Sequence, residues 1–401
     1  MERPYDIQSL ESLTKGRFSI AARVRLLWKG EESFRIICDA IEEAERLVCL
    51  QFYIFRSDDT GTALGELLKR KSREGIQVCL LYDHFGSLGT PRRFWREMMR
   101  AGVRVRASHP FKWNDPFHYV HRDHRKLIII DSKKAFTGGL NVANEYMGFN
   151  LRRRGRVWRD TGVMLEGPIV NELLDTFKRS WYTWKGEKID VSEEGKAAAP
   201  RERKESICLT STAEGRGSGG VPALPIFVYS VRGRRRMRTL LRYSIDHAQT
   251  SIMLTTAYFI PSRRLRSSLE RAVKRGARVR LLVPGKSDVP AASFAGRAFF
   301  SRLLNAGVEI YTYRGEMLHA KTYVFDQYWS LIGSTNLDYQ SLMYNDEGNV
   351  GILDETFGAK LTEIFEEDLR NAKRIEPETW QRRPIFDKIW EHLFALFRKR
   401  L

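Results

Sequence analysis

His124-Arg125-Lys126-Leu127-Ile128-Ile129-Ile130-Asp131 and His319-Ala320-Lys321-Thr322-Tyr323-Val324-Phe325-Asp326 are two copies of one pattern: a His, a Lys two positions on, and an Asp five beyond that. Each is followed at the same distance by a small-residue turn and an Asn. The turns are Gly138-Gly139-Leu140-Asn141 in the first copy and Gly333-Ser334-Thr335-Asn336 in the second. Average residue usage produces the His/Lys/Asp spacing on the order of a few hundredths of a time in a chain of this length. Two extended copies therefore mark a duplication.

The residues between Lys and Asp are short, apolar, β-branched or aromatic runs, which reads as two buried strands. Side chains alternate across a strand, so His124 and Lys126 share one face, as do His319 and Lys321. The Asp lies seven positions after its His, on the opposite parity and roughly 23 Å along an extended chain. Asp131 and Asp326 are accordingly expected at strand ends and turns, and the carboxylates that orient the imidazoles must come from elsewhere.

A His beside a Lys on a rigid strand suits a phosphate diester. The ammonium neutralises a non-bridging oxygen, while the imidazole attacks phosphorus or passes a proton to an alkoxide. The Asn and the turn amides add neutral donors for the same oxygens. Two such half-sites meeting at one phosphorus supply a nucleophile and a general acid together. The two lysines already carry the counter-charge, so no metal or other cofactor is expected.

With its Gly-[Gly/Ser]-x-Asn extension, the paired motif resembles the phospholipase D superfamily. Ala257-Tyr258-Phe259-Ile260-Pro261, Trp158-Arg159-Asp160-Thr161-Gly162 and Asn345-Asp346-Glu347-Gly348-Asn349 extend the resemblance to bacterial cardiolipin synthases, and among them to the short B type without membrane-spanning helices. The resemblance implies a phosphatidyl transfer through a phosphohistidine, with His124, Lys126, Asp131, His319, Lys321 and Asp326 as the catalytic motif residues. It makes His124 the nucleophile and His319 the general acid and then base. Lys126, Asn141, Lys321, Ser334 and Asn336 would hold the phosphate, and Asp160 and Glu347 would orient the imidazoles.

The chain has 401 residues, enough for two domains that each bury a core. The four cysteines, Cys38, Cys49, Cys79 and Cys208, have neither paired nor metal-like spacing and are expected to be reduced thiols. His84, His109, His118, His121, His247 and His392 show no ligand spacing either. The N-terminus lacks the apolar stretch of a signal peptide, and no segment approaches the roughly 20 apolar residues of a membrane span. An excess of 68 Lys plus Arg over 49 Asp plus Glu, formally +19, argues for a polyanionic partner. Much of that charge is clustered, at Arg152-Arg153-Arg154 and Arg234-Arg235-Arg236 for example. The expected partner is an anionic phospholipid membrane containing phosphatidylglycerol or cardiolipin, met peripherally at its cytoplasmic face. Nucleic acid is disfavoured, and no obligatory protein partner is expected.

The order of elements repeats. In the first half an apolar run at 47–55 leads to a helix near 63–74, a strand at 76–82, a helix ending near Arg100, and the motif. In the second, 251–260, 265–275, 277–283 and a helix ending near Asn305 follow the same sequence. Alternating strands and amphipathic helices predict two tandem α/β domains, each a mixed sheet flanked by helices, related by a pseudo-twofold axis. The expected division is 1–185, a polar linker at 186–206, 207–375, and an amphipathic C-terminal helix over 376–401. Residues 215–220 read as a flexible substrate loop or lid, or equally as a disordered surface loop. In the terminal helix Ile385, Phe386, Ile389, Trp390, Leu393, Phe394 and Phe397 recur at helical spacing, which fits a helix lying in a membrane interface, or one docked on the core. The predicted reaction joins two phosphatidylglycerol molecules into cardiolipin and glycerol; alternatives are a phospholipase D transferring to water and a nuclease of the same superfamily.

Overall fold

The computed structural model describes residues 4–111, 121–147, 157–189 and 220–397. All but residues 186–189 of the expected linker, all but Gly220 of the glycine loop at 215–220, the arginines at 152–154, His118 and Cys208 lie outside these residues.

Among the described residues sixteen strands form two sheets. The first contains β2 (Arg23–Leu27), β3 (Leu47–Phe52), β4 (Gln77–Asp83), β5 (Arg104–Ser108), β6 (Leu127–Ile130), β7 (Lys134–Gly138) and β8 (Gly162–Glu166), in the order β2-β8-β7-β6-β3-β4-β5. The second contains β1 (Ser19–Ala21), β9 (Val221–Val228), β10 (Ser251–Thr255), β11 (Arg278–Pro284), β12 (Glu309–Tyr313), β13 (Thr322–Phe325), β14 (Trp329–Gly333), β15 (Glu347–Leu353) and β16 (Ala372–Arg374). Its order is β1-β9-β15-β14-β13-β10-β11-β12-β16. Removing the edge strands β1 and β16 leaves seven strands that match the first sheet one for one. In both sheets the strand after the motif Lys is antiparallel to its neighbours, while the three strands beyond it run parallel.

The motif strands are apolar on both faces because both faces are covered. Leu127 and Ile129 of β6 enter a core that joins the two sheets, while Ile128 and Ile130 pack against helices on the outer face. The shared core also takes Leu173, Phe177 and Trp181 from the helix Ile169–Thr183 and Phe357, Leu361 and Phe365 from the helix Glu355–Arg370. One hydrophobic interior thus holds the halves together, with Met253, Val324 and Ile352 contributed from the second sheet.

Two segments depart from the expected division. Residues 5–21 precede the first half in sequence but pack on the second: β1 pairs with β9, and the Tyr5 hydroxyl donates to Ser244 O at 2.7 Å. A three-residue edge strand has no periodicity by which sequence could assign it. The terminal helix over 376–401 is two helices, Pro377–Gln381 and Ile385–Leu396, broken before Pro384, whose ring disfavours helical geometry in the preceding residue. Cys38, Cys49 and Cys79 are free thiols.

Candidate active site

Each motif strand begins where the two sheets meet. Backbone bonds tie the halves together there, and they are related by the pseudo-twofold. His124 N donates to Asp346 O at 2.9 Å, and His319 N donates to Arg159 O at 2.8 Å. Asp346 precedes Glu347 and Arg159 precedes Asp160. Each histidine is therefore pinned to the residue just before the other half's acid.

The side chains cross in the same way. His124 Nδ1 lies 3.0 Å from Glu347 Oε2 and 3.2 Å from Ser334 O, while His319 Nδ1 lies 2.7 Å from Asp160 Oδ2. A carboxylate at Nδ1 fixes the tautomer that leaves Nε2 with its lone pair. Both pairs are buried: His124 is 8% exposed and His319 4%. Burial and the neighbouring lysines lower the pKa of both rings, His319 to about 3, against the opposing pull of their carboxylates. Burial thus favours the neutral form of both rings. Burial also raises the pKa of Asp160 and Glu347, but the paired histidines outweigh it and hold both acids below the usual carboxylate range.

Lys126 Nζ donates to His124 O at 2.6 Å, and Lys321 Nζ donates to His319 O. Burial, partly offset by the nearby carboxylates, lowers Lys126 to about 7 and Lys321 to about 8. Lys126 feels Lys321, and each lysine feels both acids, so these four groups form one electrostatic unit.

The Asn residues sit one turn behind. Asn141 Oδ1 accepts from Ile54 N at 3.1 Å, and its amide nitrogen is buried with no hydrogen-bond partner among the described residues. An unpartnered buried donor costs about 1–3 kcal/mol unless something accepts from it, which suits a phosphate oxygen. Asn336 Oδ1 takes the matching place, accepting from Tyr258 N at 3.4 Å. Ser334, expected among the phosphate ligands, instead donates its hydroxyl to Glu347, and Gly348 N donates to Ser334 Oγ at 3.0 Å. Its partner in the first copy is Gly139, where a Cβ would collide with Asp160.

Asp131 and Asp326 lie at the far ends of their strands, as side-chain parity requires. Asp131 accepts from the backbone N–H groups of Glu45, Arg46 and Leu47 at 2.8–2.9 Å. Asp326 does the same for Gln249, Thr250 and Ser251. Both also occupy the left-handed region that Asp tolerates, at φ 52°, and so start the hairpin turn while anchoring the neighbouring strand.

Several neighbours escaped the sequence reading. Tyr53 packs its ring 5.0 Å from His124 and lies 5.3 Å from Lys126 Nζ. Tyr146 and Trp158 enclose His319 at 5.2 and 5.7 Å. Below His124, Arg125 bridges Asp123 at 2.7 Å and Asp346 at 3.6 Å, and Arg234 adds a second cation to Asp346 at 3.4 Å. The one available signal was position: Arg125 is the residue between the motif His and Lys, and it must face away from them.

The family described as "Cardiolipin synthase, PLD-like domain" matches residues 37–181 and 241–369. The chain is 32% identical over 385 residues to probable cardiolipin synthase YwiE of Bacillus subtilis, covering 94% of this chain and 72% of that protein. It is 33% identical over 384 residues to cardiolipin synthase 2 of Bacillus anthracis, covering 94% and 70%. In fold it is similar to a phosphatidylserine synthase of Haemophilus influenzae, with a TM-score of 0.72 at 14% identity over 98% of this chain and 100% of that one. Two motif copies, two matched segments and relatives aligned along nearly the whole chain make this protein a member of the phospholipase D-like cardiolipin synthase family.

Proposed function

We propose that the protein is a phosphatidyltransferase that joins two phosphatidylglycerol molecules into cardiolipin and releases glycerol. The observation that supports it most is the crossed pair of buried His–carboxylate contacts beside Lys126 and Lys321. His124 Nε2 attacks the phosphorus of the first lipid. The bond to the headgroup glycerol breaks, and that oxygen takes a proton from His319, which gains it as the anionic diester enters and raises its pKa. A hydroxyl of the second phosphatidylglycerol then returns a proton to His319 and attacks phosphorus, breaking the N–P bond. The lysines and the Asn amides hold the non-bridging oxygens throughout.

The lipid reaches this site peripherally. Among the described residues no helix is long and apolar enough to cross a membrane. The helix Ile385–Leu396 docks through Glu391, fully buried against Arg297 and Arg383 at 3.0 and 2.6 Å, and through Phe394, which stacks on Phe294 beside Ile260 and Ala292. The rest of its apolar surface faces outward: Phe386 is 72% exposed and Leu396 75%, with Ile385, Ile389, Trp390, Leu393 and Phe397 also exposed. An outward stripe on a strongly basic protein suits the interface of an anionic leaflet, here taken as the cytoplasmic one.

Purified protein on phosphatidylglycerol vesicles should yield cardiolipin and glycerol in equal amounts by mass spectrometry. Phosphatidic acid as the sole lipid product would replace transfer with hydrolysis, and no lipid product at all would overturn the reading.

A further inference from the structure

A cavity of about 330 Å³ opens beside the site, at the carboxyl ends of the parallel strands β11 and β12, where open α/β sheets take ligands. Its lining includes Tyr258, Arg297, Phe300, Lys373, Arg374 and Trp380, and none of its described lining residues is acidic. Tyr258 is the shared wall. Its backbone N–H reaches Asn336 Oδ1 in the site at 3.4 Å, while the residue itself lines the cavity. Lys373 pairs across the sheet with Thr312, another lining residue, so their side chains stand on one face. The Lys373 ammonium makes no ion pair among the described residues, and Arg374 shares its charge with Glu376 at 3.6 Å.

We infer that this cavity seats the glycerophosphate headgroup of the second, accepting phospholipid, with Lys373 as its principal charge. The inference rests on the proposed transfer between two phosphatidylglycerols. In that reaction the accepting hydroxyl and its own phosphate are separated by a three-carbon glycerol. When the hydroxyl reaches the phosphorus on His124, a second anion must sit nearby, and Lys126 and Lys321 are engaged with the first. In the sheet order β13-β10-β11-β12 the cavity lies two to three strands from the Lys321 strand, roughly 10–14 Å at the usual strand spacing. A glycerol bridge and the length of the Lys373 side chain span that gap.

The cavity is also placed for a lipid. Arg297, in its wall, is the residue that the docked helix Ile385–Leu396 grips through Asp387 and Glu391, and it lies 5.2 Å from the Trp380 ring. The exposed stripe of that helix lies alongside, so a headgroup in the cavity leaves its acyl chains on the side where the protein presents apolar surface. Trp380 and Phe300 give the headgroup carbons an apolar floor.

The test separates two acceptors that share the same phosphohistidine. Labelled free glycerol, which carries no phosphate, exchanges into phosphatidylglycerol; phosphatidylglycerol itself gives cardiolipin. For Lys373→Ala the ratio of cardiolipin formed to glycerol exchanged should fall about fivefold, as expected for one lost charge at an anionic headgroup. The apparent KM for accepting lipid should rise with it. Arg374→Ala, at the residue paired with Tyr311 on the opposite face of the sheet, should leave the ratio unchanged. Lys133→Ala, an exposed lysine in the turn after β6, controls for loss of general membrane charge and should leave the ratio unchanged. An unchanged ratio in Lys373→Ala, or the same fall in Arg374→Ala or Lys133→Ala, overturns the inference. A parent protein that exchanges glycerol but makes no cardiolipin refutes instead the proposed function on which it rests.

Discussion

Glu347 holds the imidazole of His124 at 3.0 Å across 223 residues of chain, and Asp160 holds that of His319 at 2.7 Å across 159. Asp160→Asn and Glu347→Gln should each lower turnover by about 10–100-fold, as loss of a ring-orienting partner does elsewhere, with little change in melting temperature. Asp131→Asn and Asp326→Asn should do the reverse, because each removes the acceptor for three backbone donors far from the site. Paired activity and melting measurements on the four variants check this. The opposite pattern would refute the division of labour.

The histidines themselves carry a second expectation. His124→Ala and His319→Ala should both remove transfer while leaving the melting temperature near that of the parent. Acid-quenched protein should carry a labelled phosphatidyl group only where His124 remains, with the label on that residue. A label mapped to His319 would exchange the two roles.

Charge cost and activity are opposed at the lysines. Unfolded lysine ionises near 10.5, whereas burial places Lys126 at about 7 and Lys321 at about 8. Between the folded and unfolded values the unfolded chain holds more protons, so stability contributed through these groups rises with pH. The full burial penalty applies below pH 7. Lys126→Met should therefore be inactive yet more stable than the parent at pH 6, by an amount on the order of 1–4 kcal/mol. That advantage should shrink by about 1.4 kcal/mol per unit as pH climbs through the window. Chemical denaturation at pH 6, 7.5 and 9 measures it, and a gap that widens with pH would contradict the assignment.

The same lysines predict how the enzyme responds to chelators. With two buried cations at the phosphate, EDTA should leave turnover of detergent-dispersed lipid within about twofold of the parent, since the charge a metal would bring is already present. Restoration of EDTA-abolished activity by one particular divalent ion would sink the metal-free scheme.

Attachment to vesicles should depend on the outward stripe. Replacing Phe386, Trp390 and Leu396 by Ser should weaken binding to phosphatidylglycerol vesicles at least tenfold, since each buried side chain of this size is worth roughly 1.5–3 kcal/mol and immersion is partial. The melting temperature should hold, because these residues are exposed. Glu391→Ala should instead lower it by leaving Arg297 and Arg383 without their shared acid. Flotation and melting curves on the two variants separate an interfacial helix from a core one.

How far sequence could go follows from what each feature depends on. The motif strands were legible because β6 and β13 are short apolar runs bounded by turns. The structural role of Asp131 and Asp326 was legible because parity is a local rule. The stripe from Ile385 to Phe397 was legible as a period, but which side of it faces the protein was not. That is decided by Arg297 and Arg383, which meet Glu391 only in the folded chain. The crossing of the acids was hidden for the same reason. Spacing gives no sign that Asp346 and Arg159 bond the backbones of the opposite histidines. Ser334 looked like a phosphate ligand by its place in the turn, and its bond to Glu347 depends on β15 lying beside β14.

The crossed acids also bear on the protein's life before it is finished. On the ribosome His124 is made 223 residues before Glu347, so the first half emerges with its histidine and lysine in place but without the carboxylate that fixes the ring. A chain not yet made beyond the first motif lacks His319 and Lys321 as well, and should therefore be inert towards phospholipid. Competence to cut and rejoin lipid arrives only when the last strands dock, which makes completed assembly the switch.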